Sequence, residues 1–359
     1  MFKSFKKNPR FILHIYFVSF LFLIQFSTNH IKAETFNIDN VEVKEPYDIN
    51  FNKPKVVDKA FNKAFKELFL KITSSSDHEI INNFNILSIK SLVDSFTIVE
   101  EKFVNQNYVA IFDVDFDKKK IMNFLEEKNI FPSIPIEKQI FILPILIDTN
   151  SNELVLFNKN VFYSNWNKEN KKYYLLNYIL PNEDLEDIKL LQSRINNIED
   201  YEFSEIISKY NLEDYIIVIF FKNYENLKIF SKINLNSQLS LVNSEYKNIN
   251  ISKNQNIETI IDQLKSIYEN HWKKINQINT SIKLSATLMI DSKDHELINK
   301  FENRMLDIDF ISKFNIENFT SKKITYKIIY NSTPDKFLKL LNLNGFKVDT
   351  STETWKIYE

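Results

Sequence analysis

The chain has 359 residues, with one glycine, no cysteine, 32 phenylalanines, 16 tyrosines and a formal net charge of −1. A single glycine, Gly345, excludes phosphate-cradling loops, dinucleotide fingerprints and nucleophile elbows, which place backbone where only glycine fits comfortably. Without cysteine there is no disulfide, thiol nucleophile, cysteine-ligated zinc or lipoprotein attachment.

The abundance of Phe, Ile, Asn, Lys and Tyr matches AT-rich codons, so Asn enrichment reads as turn chemistry in a glycine-poor chain, since Asn tolerates a left-handed backbone. The apolar fraction of 44% suffices for packed globular structure.

Residues 1–33 follow the secretory pattern. Lys3, Lys6, Lys7 and Arg10 form a positive flank, Phe11 to Phe26 an apolar run, and Ile31-Lys32-Ala33 a cleavage site. The competing arrangement is an uncleaved anchor over residues 11–31. Sixteen helical residues reach only ~24 Å, short of a ~30 Å hydrocarbon core. Either way the remaining chain is expected outside the cytoplasm, in the periplasm or anchored to the inner membrane facing it. Cleavage removes five of the 46 basic and none of the 47 acidic residues, leaving 41 against 47. That acidic balance argues against nucleic acid as a partner, because neutralising phosphate needs a basic face.

Three segments follow. The first, 34–131, opens with an alternating strand, Phe36 to Ile49. Pro54 then starts a helix whose apolar positions, from Val57 and Ala60 to Leu68 and Ile72, recur at three and four. Strands over Phe96–Phe103 and Tyr108–Phe116 flank Asn105-Gln106-Asn107, a hairpin turn with Asn in place of glycine. Asp117 caps a helix to Lys128. This βαββα order is a partial ferredoxin-like unit. Phe131-Pro132-Ser133-Ile134-Pro135 reads as a stiff linker.

The middle segment, 138–279, opens with the near-continuous apolar run Gln139–Ile147, a strand buried on both faces. Tyr173–Leu180, helices near Leu185–Ile198 and Phe203–Leu212, and the apolar run Tyr215–Phe221 come next. Two alternating strands (Leu227–Leu235 and Leu239–Tyr246) precede a long helix from Ile257 to Ile278. This predicts an α/β layer domain. The last segment, 281–359, reads as a ferredoxin-like βαββαβ sandwich: a strand over Ile282–Ile290, a helix from Leu297 to Ile308, and a hairpin over Phe310–Phe319 and Ile324–Tyr330. A helix opened by Pro334 and stopped by Gly345 leads into one final strand, Phe346–Tyr358.

The first segment resembles an exported proteobacterial family known as domain of unknown function 2066. The resemblance rests on the strand before Pro54, the Ala60-x-x-x-Ala64 helix running to Leu68 and Ile72-Thr73, and the hairpin ending Ala110-Ile111-Phe112-Asp113-Val114. The Pro132-to-Phe141 passage extends it. It covers about a third of the chain strongly and implies an exported envelope protein; it supplies no catalytic residue.

Few candidate sites emerge. Asp113, Asp115 and Asp117 alternate with Phe112, Val114 and Phe116, which projects three carboxylates from one strand face, a donor set for a hard cation such as calcium. A solvated face with Asp117 as helix cap explains the same residues. Asp291, Asp294 and His295 crowd at a helix start, where acids suit the helix dipole without any site. His78 sits at a similar start, and His271 at the edge of an apolar stripe. Trp166, Tyr163 and Tyr173 are candidates for an aromatic binding surface. No catalytic constellation and no cofactor site are expected. The expected function is a non-catalytic binding or scaffold module of the cell envelope, whose partner is another envelope protein or polymer. An envelope-polymer hydrolase with paired carboxylates and a membrane-tethered scaffold are the alternatives.

Overall fold

The computed structural model describes residues 36–278, 283–308 and 311–358, so residues 1–33, where an export signal is expected, lie outside the described residues. Fourteen strands and nine α-helices occur among them, in three sheets, which makes the fold mixed α/β.

The first sheet has the order β1-β3-β2 and is antiparallel throughout, from β1 (Phe36–Pro46), β2 (Val93–Val104) and β3 (Asn107–Phe116). Asn40, at φ 59°, forms a bulge between Ile38 and Val41, so both still point inward. Between β1 and β2 lie α1 (Lys53–Ile72) and α2 (Ile86–Leu92). Asn52 caps α1 by accepting from Lys55 N at 3.2 Å, and Pro54 occupies its first turn, where a missing N–H costs nothing. Its buried face holds Val56, Ala60, Ala64, Phe65, Leu68 and Phe69; Val57, expected inside, is only partly buried. The turn between β2 and β3 carries positive φ at Asn105 (50°) and Gln106 (60°), the backbone of a tight hairpin made without glycine. Asp117 accepts from Lys120 N at 3.1 Å and so caps α3 (Lys118–Glu127).

The segment around Pro132 is not a free linker. Ser133 is buried and donates twice to Ile72 O at the end of α1, through N (2.7 Å) and Oγ (3.0 Å).

The middle sheet runs β5-β4-β7-β8-β9, with β6 also on β4. Its central strand β4 (Lys138–Asp148) is buried on both faces, as its apolar run predicts. On its outer edge β5 (Glu153–Val155) pairs with Leu146–Asp148 and β6 (Leu176–Ile179) with Lys138–Phe141. Pro144 sits in the gap between these short partners, where the N–H it lacks is not needed. Its carbonyl accepts from Asn160 Nδ2 at 3.0 Å. α4 (Val161–Asn165), α5 (Leu185–Ser193) and α6 (Ser204–Ile207) connect these strands to β7 (Tyr215–Asn223). The meander β8 (Asn226–Leu235) and β9 (Gln238–Tyr246) then leads into α7 (Asn254–Ile275). One buried cluster lies between the sheet and α4 with α7; a second lies on the opposite face, under α5 and α6.

The third sheet has the order β11-β12-β10-β14-β13. Its elements are β10 (Leu284–Asp291), α8 (His295–Asp307), β11 (Ile311–Phe319), β12 (Lys323–Tyr330) and α9 (Pro334–Leu343), then β13 (Lys347–Asp349) and β14 (Thr354–Tyr358). The single final strand expected over Phe346–Tyr358 is two strands paired antiparallel. Asp349 Oδ1 accepts from Ser351 N at 2.9 Å and turns the chain, so β14 lies parallel to β10. An unbroken closing strand would run antiparallel to the first strand of such a unit. Gly345 ends α9 at φ 85°, the left-handed stop its position predicts.

Candidate functional site

After β4 the chain builds β5 and β6 on one side of that strand and then crosses to build β7 on the other. β4, β6 and β7 are parallel, so the strand order reverses beside β4. In open α/β sheets a crevice for ligands lies outside the carboxyl ends of the strands at such a reversal. There, Asp148 ends β4 and Lys222 stands opposite in β7, paired at 2.8 Å. That bond is the main reason the Asp148 carboxyl is held down to about 2; Asn150 N, donating at 3.0 Å, adds to it. Thr149 then donates to Lys222 O through both N and Oγ1, each at 2.9 Å, which fixes the lip of the crevice.

Beyond this lip lies a crevice of about 690 Å³. Asn196, Asn197, Glu199 and Asp200 line it from the segment after α5. Phe221, Asn223 and Asn226 come from the β7–β8 hairpin, with Lys228 on β8 and Glu245 on β9. Lys228 and Glu245 are cross-strand partners in register, yet they form no ion pair among the described residues. The side-chain amides of Asn196, Asn197, Asn223 and Asn226 likewise have no protein hydrogen-bond partner among the described residues. These side chains are exposed, so they bond solvent and are open to contact from outside.

A second polar constellation lies on α7. Lys265, Glu269 and Lys273, spaced by four, share one helix face and are all buried. Glu269 accepts from Leu175 N (3.0 and 3.1 Å) and Leu176 N (2.8 Å), and burial raises its carboxyl above the usual range. Lys265 donates to Glu169 O (2.8 Å) and Asn170 Oδ1 (3.2 Å), and Lys273 to Leu70 O (2.6 Å) and Thr73 O (3.1 Å). Burial lowers both ammonium groups to about 8. Each is spent on backbone or amide oxygens, so the row pins α7 to the β6 approach and to the end of α1.

The residues singled out by sequence scatter. Asp113 accepts from Asn40 N (2.9 Å), Asp115 from Asn37 Nδ2 (2.6 Å) and Ser95 Oγ (3.0 Å), and Asp117 is the α3 cap. No group of three or more His, Cys, Asp or Glu is placed to hold a metal among the described residues, and each of these three acids accepts a hydrogen bond from within the protein. Asp294 caps α8 through Leu297 N at 3.0 Å, and Asp291 accepts from Lys293 N at 2.9 Å. His78 Nε2 lies 3.3 Å from Thr73 O, and burial followed by Lys273 lowers its pKa. His271 is half-buried on α7, its pKa lowered by burial and Lys274.

Trp166 is fully buried between Tyr178 (5.8 Å, edge-on) and Tyr268 (6.3 Å, stacked); it packs the core and offers no surface. Tyr163 is partly buried and donates to Pro181 O at 2.6 Å. Tyr173 packs edge-on against Tyr174 at 5.1 Å and His78 at 6.4 Å. The three aromatics therefore form no common binding surface. Sequence reasoning missed both the crevice and the α7 row. The row had a signal: charges at 265, 269 and 273 lie beside the apolar stripe of Leu264, Tyr268 and Trp272.

No protein-family model matches the chain. It is similar to the chromosomal replication initiator protein DnaA of Buchnera aphidicola subsp. Cinara cedri (strain Cc), 25% identical over 225 residues. That match takes in 57% of this chain and 49% of the relative, so the chain spans about half the length of the curated protein it matches. A solved structure described as an uncharacterized protein is 10% identical, with 40% of this chain and 95% of that one covered, at a TM-score of 0.17.

Proposed function

We propose that the chain is a non-catalytic binding module of the cell envelope whose ligand enters the crevice beyond the carboxyl ends of β4 and β7. The carrying observation is that crevice: it opens beside Thr149 between the β7–β8–β9 meander and the segment after α5, and its asparagine amides make no hydrogen bond within the protein among the described residues. The positive flank, apolar run and Ala33 of the N-terminal sequence support export to the periplasm. The resemblance of the first segment to the exported family called domain of unknown function 2066 points the same way. The segments 34–131, 138–279 and 281–359 are its domains in this reading. The first and last are ferredoxin-like in plan; the last is modified by its closing hairpin. The partner is an envelope protein or polymer. The likeness to a replication initiator does not favour a nucleotide or nucleic-acid role, because one glycine cannot build a phosphate cradle and the exported chain is acidic.

One observation favours a second reading, an envelope-polymer hydrolase: Glu199, Asp200 and Glu245 line the same crevice. Glycoside hydrolysis uses two carboxyl groups across the bond that breaks. Tethering to the membrane rests on residues 11–31; no helix among the described residues is long and apolar enough to cross.

A photo-cross-linking side chain at Asn197, with a control at Lys44 on the exposed face of β1, tests the binding reading in intact cells. An envelope component captured at Asn197 and not at Lys44 is the expected result. Equal capture at both positions, or full-length chain recovered from the cytosol, refutes it.

A further inference from the structure

We propose that the crevice beyond β4 and β7 takes a neutral saccharide. The proposal rests on the binding reading above and adds the class of ligand. Charge narrows the choice first. Glu199, Asp200 and Glu245 face the crevice against the single ammonium of Lys228, so an anionic ligand meets net repulsion. Polarity narrows it again, since only Ile195, Ile198 and Phe221 supply apolar lining. A peptide read by its side chains would need apolar pockets larger than these three residues provide.

The remaining groups are bifunctional. Each of the amides of Asn196, Asn197, Asn223 and Asn226 carries two N–H donors and a carbonyl acceptor, none of them used within the protein among the described residues. A hydroxyl group also donates and accepts, so adjacent hydroxyls satisfy an amide's two sides together. A polyamine would match the three carboxylates and could donate to the amide carbonyls, but it would leave the two N–H donors of each amide unmet. Phe221, partly buried at the end of β7, offers a ring against which the C–H face of a pyranose packs, while the hydroxyls at its edge reach the amides.

The test uses the full chain, titrated with maltotriose and triacetylchitotriose as neutral probes and spermidine as the cationic probe, read by calorimetry and saturation-transfer NMR. A neutral trisaccharide is expected to bind. Its affinity should fall at least tenfold in the Asn197→Ala/Asn226→Ala double variant and by less in Glu199→Gln/Glu245→Gln, which keeps an acceptor oxygen at each position and removes only the charge. Both variants alter exposed side chains, and an unchanged circular dichroism spectrum checks their folding. Saccharide binding that survives the double variant lies elsewhere and overturns the proposal. Spermidine binding lost in the Gln variant, with no saccharide bound, assigns the crevice to cations instead. If no trisaccharide binds although Asn197 captures an envelope component, the ligand class is wrong and the binding reading stands; if both fail, both readings fall. A trisaccharide that binds and is cleaved keeps the ligand class and removes the non-catalytic clause.

Discussion

Replacing Lys273 by methionine isolates the buried ammonium at the seam between α7 and the end of α1. Methionine keeps most of the stem's volume and removes both donors, leaving Leu70 O and Thr73 O without bonds that are now 2.6 and 3.1 Å long. A buried carbonyl left unpaired costs ~1–3 kcal/mol; that applies to Leu70 O, while Thr73 O keeps His78 Nε2 at 3.3 Å, and the loss is offset in part by no longer burying a charge. A net loss of about 1–3 kcal/mol near pH 7 follows. The pH dependence is the sharper readout. Burial lowers this lysine from 10.5 to about 8, so between those values the unfolded chain binds the proton and the folded chain does not. Folding therefore becomes more favourable as pH rises through that window. At ~1.4 kcal/mol for each pH step inside it, the gain between neutral and about pH 9.5 is ~2 kcal/mol. The methionine variant lacks this gain, while the contribution of Lys265 is common to both chains and cancels. Urea titrations at the two pH values should show the gap between wild type and Lys273→Met widening by ~2 kcal/mol. A constant gap would refute the argument that desolvation governs this residue.

Glu269→Ala should cost ~2–5 kcal/mol in thermal unfolding, because the Leu175 and Leu176 amides lose their buried acceptor; Glu269→Gln, which keeps one acceptor oxygen, should cost less. Burial raises the Glu269 carboxyl, so the wild type loses stability as pH rises through its folded value, and the Gln variant should lose that slope. Gln106→Gly should stabilise the chain by ~1 kcal/mol in urea, since Gln106 holds φ 60° in the hairpin turn; destabilisation would contradict the left-handed placement. Lys209→Met should cost ~3 kcal/mol by stranding the buried Asp187 carboxylate, which Lys209 contacts at 2.8 Å. Adding Asp187→Asn should recover part of that loss, and a double variant no better than the single would exclude the stranded charge as its cause.

Local signals carried much of the fold. Apolar spacing located α1 and α7, and the continuous run of β4 announced burial on both faces. Asn105 marked its hairpin because the residue types that tolerate left-handed backbone are few. Misreadings arose where neighbours decide. Val56 and Val57 are equivalent as sequence, and only the packing of α1 on its sheet chooses Val56. Pro144 argues against a central strand until β5 and β6 leave their gap beside it. The final strand broke at Asp349, whose side chain caps a turn within a Thr/Ser run that alternation alone passes over.

The crevice was illegible for a different reason. Its residues come from four places between 149 and 245, and none is unusual for its type. What brings them together is the segment after α5 meeting the β7–β8–β9 meander, a property of the assembled domain. The aromatic candidates failed in the opposite direction. Trp166, Tyr163 and Tyr173 are close in sequence, but in a chain with 32 phenylalanines and 16 tyrosines, aromatic clustering carries little information about exposure. The unpaired amides carry more. These exposed amides bond water in the free chain, and they are the groups that a ligand entering the proposed crevice would meet.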